Sequence, residues 1–243
     1  MANYVDYNNI AQSTENACGA FAISASLCQL NLKSAQTVQS LDQTNLANGY
    51  SAASQVIDLR QDANKKTAAE NAYKITGNLD IHYDTLKATY YAINSSKENS
   101  PSALCKIAYD FNGNTAAKIK LCYLESAKNI FSAITQSDNT GFGDNLFSTE
   151  SDLIHSIDGD IGISEENSYA VPSGHEVHLL LVQHDQGKHW FSLCVNDESS
   201  SSLYDPANGK VYSVNNSDLN NQSQLNLDNT NYVLPGLWIE LSN

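Results

Sequence analysis

The stretch AQSTENACGAFAISASLCQLNL, residues 11–32, decides how the chain is read. After the turn-like STEN the residues are small and apolar, and Ala20, Ile23, Ser24, Leu27 and Leu30 recur at helical spacing. The spacing predicts a helix from Cys18 to about Leu32, with Ser13, Thr14 or Asn16 as its cap and Cys18 in its first turn. A thiol there feels the positive end of the helix dipole, which favours the nucleophilic thiolate. Gly19 beside it would let a substrate backbone approach the helix start closely.

A second stretch, GKHWFSLCVNDESSSSLYDPANGKV at 187–211, carries the partners such a thiol needs. His189 begins an apolar strand, and Asp205 precedes Pro206 at a turn after the next strand. In an antiparallel hairpin those two positions can be neighbours near one end of the ladder. An imidazole takes the thiol proton, a carboxylate holds its tautomer, and an amide such as that of Gln12 donates to a developing oxyanion. Taken alone, Cys18 reads as a buried structural thiol. With Gln12, His189 and Asp205 in place it reads as a nucleophile. Trp190 is a core residue that can also wall the cleft beside His189.

The arrangement Q-x5-C-G, then H-W, then D-P-x-x-G resembles the papain-like cysteine peptidase superfamily, most of all the bacterial peptidases that remove double-glycine leader peptides. The resemblance implies a Cys18 thiolate, His189 as general base and acid, Asp205 as its orienting carboxylate, and Gln12 with the Cys18 backbone N–H as oxyanion donors. It covers about a quarter of the chain. The long segment between Cys18 and His189 matches nothing in that family.

The rest of the sequence reads as one domain, residues 1–243, of class α+β. Residues 1–170 are expected to be mainly helical, with a large insertion of three to five helices over 36–134. The runs SAASQVIDLRQDANKKTAAENAYKI, LDIHYDTLKATYYAI and AAKIKLCYLESAKNIFSAI supply the apolar spacing. Breaks are expected at Asn48-Gly49 and at FNGN, 111–114. The loop-like TQSDNTGFGDNLFSTESDL would border the cleft. Residues 171–243 predict an antiparallel sheet of four to six strands, with the Asn-rich tract 215–231 as an exposed loop.

Composition excludes several functions. With 27 acidic against 13 basic residues and a net charge of −14, the chain lacks the basic patches that nucleic acid or anionic lipid requires. Five cysteines without a CxxC pair make a poor disulfide framework and a poor zinc site, so the other four read as buried free thiols in a reducing compartment. HEVH at 175–178 is not a zinc helix, and the acidic turns near Asp138 and Asp158 lack the closing Glu of a calcium loop. No cofactor and no metal are expected. The N-terminus has no secretory h-region, and no apolar run approaches the roughly 18 residues of a membrane span. The sequons at Asn94, Asn215 and Asn221 therefore carry little weight.

These readings converge on a thiol amidohydrolase acting on a protein or peptide, cytoplasmic or delivered into a host cell by a signal-independent route as bacterial effectors are. The alternatives are glutamine deamidation or transglutamination through the same thioester, and a binding module on an inactive peptidase fold.

Overall fold

Helix α1 (Cys18–Gln29) is buried along its length from Cys18 to Cys28. A helix packed on all sides has no use for a polar face, which is why its sequence is small and apolar all round. Its serines are satisfied internally: Ser24 Oγ donates to the Ala20 carbonyl at 2.8 Å and Ser26 Oγ to that of Ala22 at 2.9 Å. None of the expected caps is used. The helix starts at Ala17, without a side-chain cap, and Cys18 is its first residue.

The computed structural model describes residues 3–41, 54–91, 96–137, 142–185, 187–221 and 224–243. After α1 come strands β1 (Ala35–Gln39) and β2 (Ser54–Asp58), helix α2 (Lys65–Thr76), strands β3 (Gly77–His82), β4 (Lys87–Tyr90) and β5 (Glu98–Asn99), and helix α3 (Pro101–Phe111). Strand β6 (Ile119–Tyr123), helix α4 (Glu125–Ala133), strand β7 (Thr135–Gln136), helix α5 (Leu146–Ile157) and strand β8 (Gly162–Glu165) follow. The C-terminal part holds β9 (Glu176–His184), β10 (Gly187–Val195), β11 (Ser200–Asp205), β12 (Lys210–Asn215), α6 (Asn216–Asn221), β13 (Gln224–Leu227), β14 (Thr230–Val233) and β15 (Leu237–Ser242).

The architecture is α+β, built on a sheet ordered β12-β11-β10-β9-β15-β6-β8, with the β13–β14 hairpin joined to β9. Both faces of its centre are buried, so HLLLV in β9 is a continuous apolar run. Val177, Leu179, Leu181 and Trp190 join the core that contains α1. Leu180, Val182, Phe191 and Leu193 face a second core closed by Leu219, Leu225, Leu227 and Tyr232. Among the described residues no helix is long and apolar enough to cross a membrane.

Several expectations need correction. The first 170 residues are not mainly helical, because β1 to β8 interleave with α2 to α5. LDIHYDTLKATYY, read as a helix, is the β3–β4 hairpin. Its Leu79 and Ile81 alternate with polar neighbours, as do Ala88 and Tyr90, and Leu86 takes a φ of 50° in the turn. Period two and helical spacing coincide over so few residues. The FSTESDL half of the expected loop is α5, started by a capping box between Asn145 and Ser148. The sheet exceeds the expected four to six strands: β9 to β15 alone make seven of its nine, and β6 and β8 join from the first half, the two paired in parallel. The tract 215–231 is α6 and β13, held by buried Leu219, Leu225 and Leu227. The Asn48-Gly49 break and the Asn94 sequon lie outside the described residues.

An N-terminal arm, residues 3–12, runs back across the α1 side of the sheet. Tyr4 Oη and Ser26 Oγ both meet Ser192 Oγ, at 2.7 and 2.6 Å. Asp6 is held by Lys33 and, at 3.0 Å, by the fully buried ammonium of Lys65, which also pairs with Asp62. Removing Asp6 leaves a buried cation short of a partner. Asp6→Ala is expected to cost about 1–3 kcal/mol in urea unfolding. Lys65→Met, which deletes the buried charge itself, is expected to cost less. An equal or reversed order would show that the ion pair does not hold the arm.

Candidate active site

Residue 209 explains how the arm and the β11–β12 turn come together. Gly209 has a φ of +71°, and a Cβ there would lie 2.7–2.9 Å from the backbone of Ile10 and Ala11. Only glycine both makes the turn and admits the arm. Asn9 N–H donates to the Gly209 carbonyl at 2.8 Å, Gln12 N–H to that of Pro206 at 2.7 Å, and Tyr204 Oη to that of Ile10 at 2.7 Å. The arm thus braces the turn that carries Asp205.

Continued one step, the β10–β11 register sets Asp205 opposite Phe191, on the same face as His189 and diagonal to it. His189 Nε2 lies 2.8 Å from Asp205 Oδ1. An ionised carboxylate only accepts, so Nε2 carries the proton and Nδ1 is left for the thiol. The Cys18 side chain lies near enough to the same imidazole to favour its charged form. Cys18, His189 and Asp205 are 6%, 5% and 2% exposed, so water screens their interactions little. Burial pushes the imidazole pKa down; Cys18 and then Asp205 overcome it, and the pKa stands raised at about 9. The His189 ring also packs against Phe191, with centroids 4.9 Å apart, and beside Tyr232 and His184.

Asp205 plays a second part, in its own turn. Its Oδ1 also accepts from Ala207 N–H at 2.8 Å, and its Oδ2 from Asn208 Nδ2 at 3.0 Å. One carboxylate both caps its own Asp-Pro turn and orients the imidazole.

The expected oxyanion donors stand as follows. The uncapped start of α1 leaves the first N–H groups, that of Cys18 among them, without a side-chain acceptor. Gln12 Nε2 donates one hydrogen to the Glu15 carbonyl at 2.9 Å, while its Oε1 is buried without a partner. None of these bonds reaches Cys18 or His189, and Gln12 is not among the residues that line the cleft beside the thiol.

Gly19 needs correction. A Cβ there would come within 2.7 Å of Asn99 Cβ and 3.0 Å of Trp190 Cδ1. The space is taken by the fold, so Gly19 serves close packing of α1 and not the approach of a substrate backbone. Trp190 is buried and, with Cys18, lines a cleft. Glu98, Asn99 and Lys188 share that lining, and sequence reading missed all three. Asn99 Nδ2 donates to the Asn16 carbonyl at 2.6 Å and its Oδ1 accepts from Thr76, which fixes the residues just before the thiol. Only Lys188, beside His189, sat close enough in sequence to be suspected.

All five cysteines are free. Burial pushes the thiols of Cys28 and Cys194 up to about 12, and it raises those of Cys105 and Cys122 as well. Among the described residues no cluster of three or more His, Cys, Asp or Glu side chains could hold a metal ion. A scan of protein-family models and a search of curated proteins find no match to this chain.

Because the His189 pKa is raised above its unfolded value of about 6.5, its partners stabilise the fold fully below that pH. The contribution is lost as pH rises through about 9. The stability lead of the wild type over Asp205→Ala, measured by urea unfolding from pH 6 to 10, is therefore expected to shrink at the alkaline end. A remainder should survive, because Asp205 also accepts from Ala207 N–H and Asn208 in its own turn. A lead that grew with pH would contradict the assigned pairing.

Proposed function

We propose that this chain is a cysteine-dependent amide hydrolase of papain-like architecture, acting on a protein or peptide. The observation that carries the reading is the sharing of one buried imidazole. Nε2 is held by Asp205, and the thiol at an uncapped helix start acts on the same ring.

The chemistry follows from that placement. The Cys18 proton passes to Nδ1, and the thiolate adds to the carbonyl carbon of an amide. The resulting oxyanion accepts from the Cys18 N–H and the Gln12 amide. The imidazolium returns its proton to the leaving amine as the C–N bond breaks, giving a thioester. Water, deprotonated by His189, then attacks the thioester and restores the thiol. With glutamine as the amide, the same steps give deamidation, and with an amine in place of water, a cross-link. The resemblance of the Gln12, Cys18, His189 and Asp205 motifs favours the peptidase outcome. It also extends the proposal to delivery as a bacterial effector.

Iodoacetamide at mildly acidic pH is the first test. Cys18 should be alkylated selectively, because the other four thiols are held protonated by burial. Equal labelling of all five would favour a binding module. Masses of candidate substrates after incubation then separate chain scission from deamidation and cross-linking. On a validated substrate, Cys18→Ala should lose several orders of magnitude in turnover. Retention of wild-type turnover would sink the proposal.

Gln12→Ala should slow turnover about 10²–10³-fold, the scale for one oxyanion donor, with Cys18 labelling intact. Loss of labelling instead would assign Gln12 to bracing the Glu15 turn.

A further inference from the structure

Beside the Cys18 thiol the protein holds a cleft whose floor comes from the segment between the thiol and its base. Leu79 and Ile81 of β3, Pro101 of α3 and Phe131 of α4 form that floor, and Trp190 stands at its wall. A second, smaller hollow lies behind Leu79, Pro101 and Phe131 and is lined by Glu150. Glu150 offers nothing polar to an occupant. One of its oxygens is taken by Tyr90 Oη and the other by Ser102 N–H at 2.6 Å.

We propose that this cleft is a specificity pocket for one aliphatic side chain of leucine or methionine size, carried by the substrate next to the carbonyl that Cys18 attacks. The inference rests on the reading of Cys18 as the nucleophile. A charged side chain would lose hydration on the apolar floor of Leu79, Ile81, Pro101 and Phe131, which offers it no polar group. A glycine at that position would leave the hollow empty, so the double-glycine substrate of the resembling peptidases does not suit this chain. Glu98 and Lys188 also line the cleft and supply an acceptor and a donor for the substrate backbone. Burial pushes the Glu98 carboxyl up to about 7 and the Lys188 ammonium down to about 8. The enclosed space suits a side chain and a protein substrate better than a long acyl chain, which would have to displace the packed residues around Glu150.

The test uses the intact protein and a series of N-substituted 2-chloroacetamides, in which the thiolate displaces chloride. Alkylation rates at Cys18 are read by mass spectrometry and divided by each reagent's rate with glutathione. The N-isobutyl reagent should outrun the N-methyl one by about tenfold or more, the scale on which apolar pockets discriminate. In Ile81→Trp, which narrows the mouth at a half-buried position, the ratio should fall toward one. Equal isobutyl and methyl rates in the wild type would overturn the pocket, whatever the variant does. A faster N-octyl reagent would overturn it too, by assigning the hollow to an acyl chain. The outcome for the catalytic reading is separate. Uniform iodoacetamide labelling of all five thiols would remove the nucleophile's activation, while the isobutyl-to-methyl ratio at Cys18 would still decide the pocket.

Discussion

The close approach of helix α1 to strand β10 is the contact on which the rest of the site depends. Where Gly19 meets Asn99 and Trp190 there is no room for even a methyl group. That contact lets the helix start sit against the strand that presents His189. Lateral space is saved along the helix by Ala20, Ala22, Ser24, Ala25 and Ser26, all buried. Larger side chains at these places would hold α1 off the sheet, and the thiol would lose its imidazole.

A second constraint is electrostatic. Two groups that favour positive charge on His189 work against a burial that disfavours it, and the partners prevail. The imidazole is consequently not free to titrate as an exposed histidine would. Cys18 and Asp205 both favour its charged form. Asp205 can supply this only because its own position is fixed by Ala207 N–H and Asn208, and because the arm rests on Gly209.

How much of this was legible in the sequence follows from where the signals lay. Helix α1 was readable because its spacing and small residues run unbroken, and the β10–β11 hairpin because its apolar strands are long and bounded by a polar turn. Cys18, His189 and Asp205 could be brought together on paper because each lies in such a segment. The β3–β4 hairpin was misread because four apolar residues satisfy either period. The uncapped start of α1 overruled Ser13, Thr14 and Asn16, whose side chains competed on propensity alone. Gly19 was assigned the wrong neighbour, since no local pattern announces Asn99 eighty positions away. The cleft was invisible for the same reason. Its lining comes from strands and helices that meet only in three dimensions.

The lacing of residues 9–12 to the turn at 204–209 also bears on how the molecule comes into being. The thiol is synthesised well before the imidazole, the carboxylate and the brace for the arm, which lie far along the chain from it. Contacts between such distant parts of a chain close late in folding, because they repay their loop entropy last. Cys18 therefore meets His189 only once β10 and β11 have folded against α1, so their pairing belongs to the assembled fold and not to the helix alone.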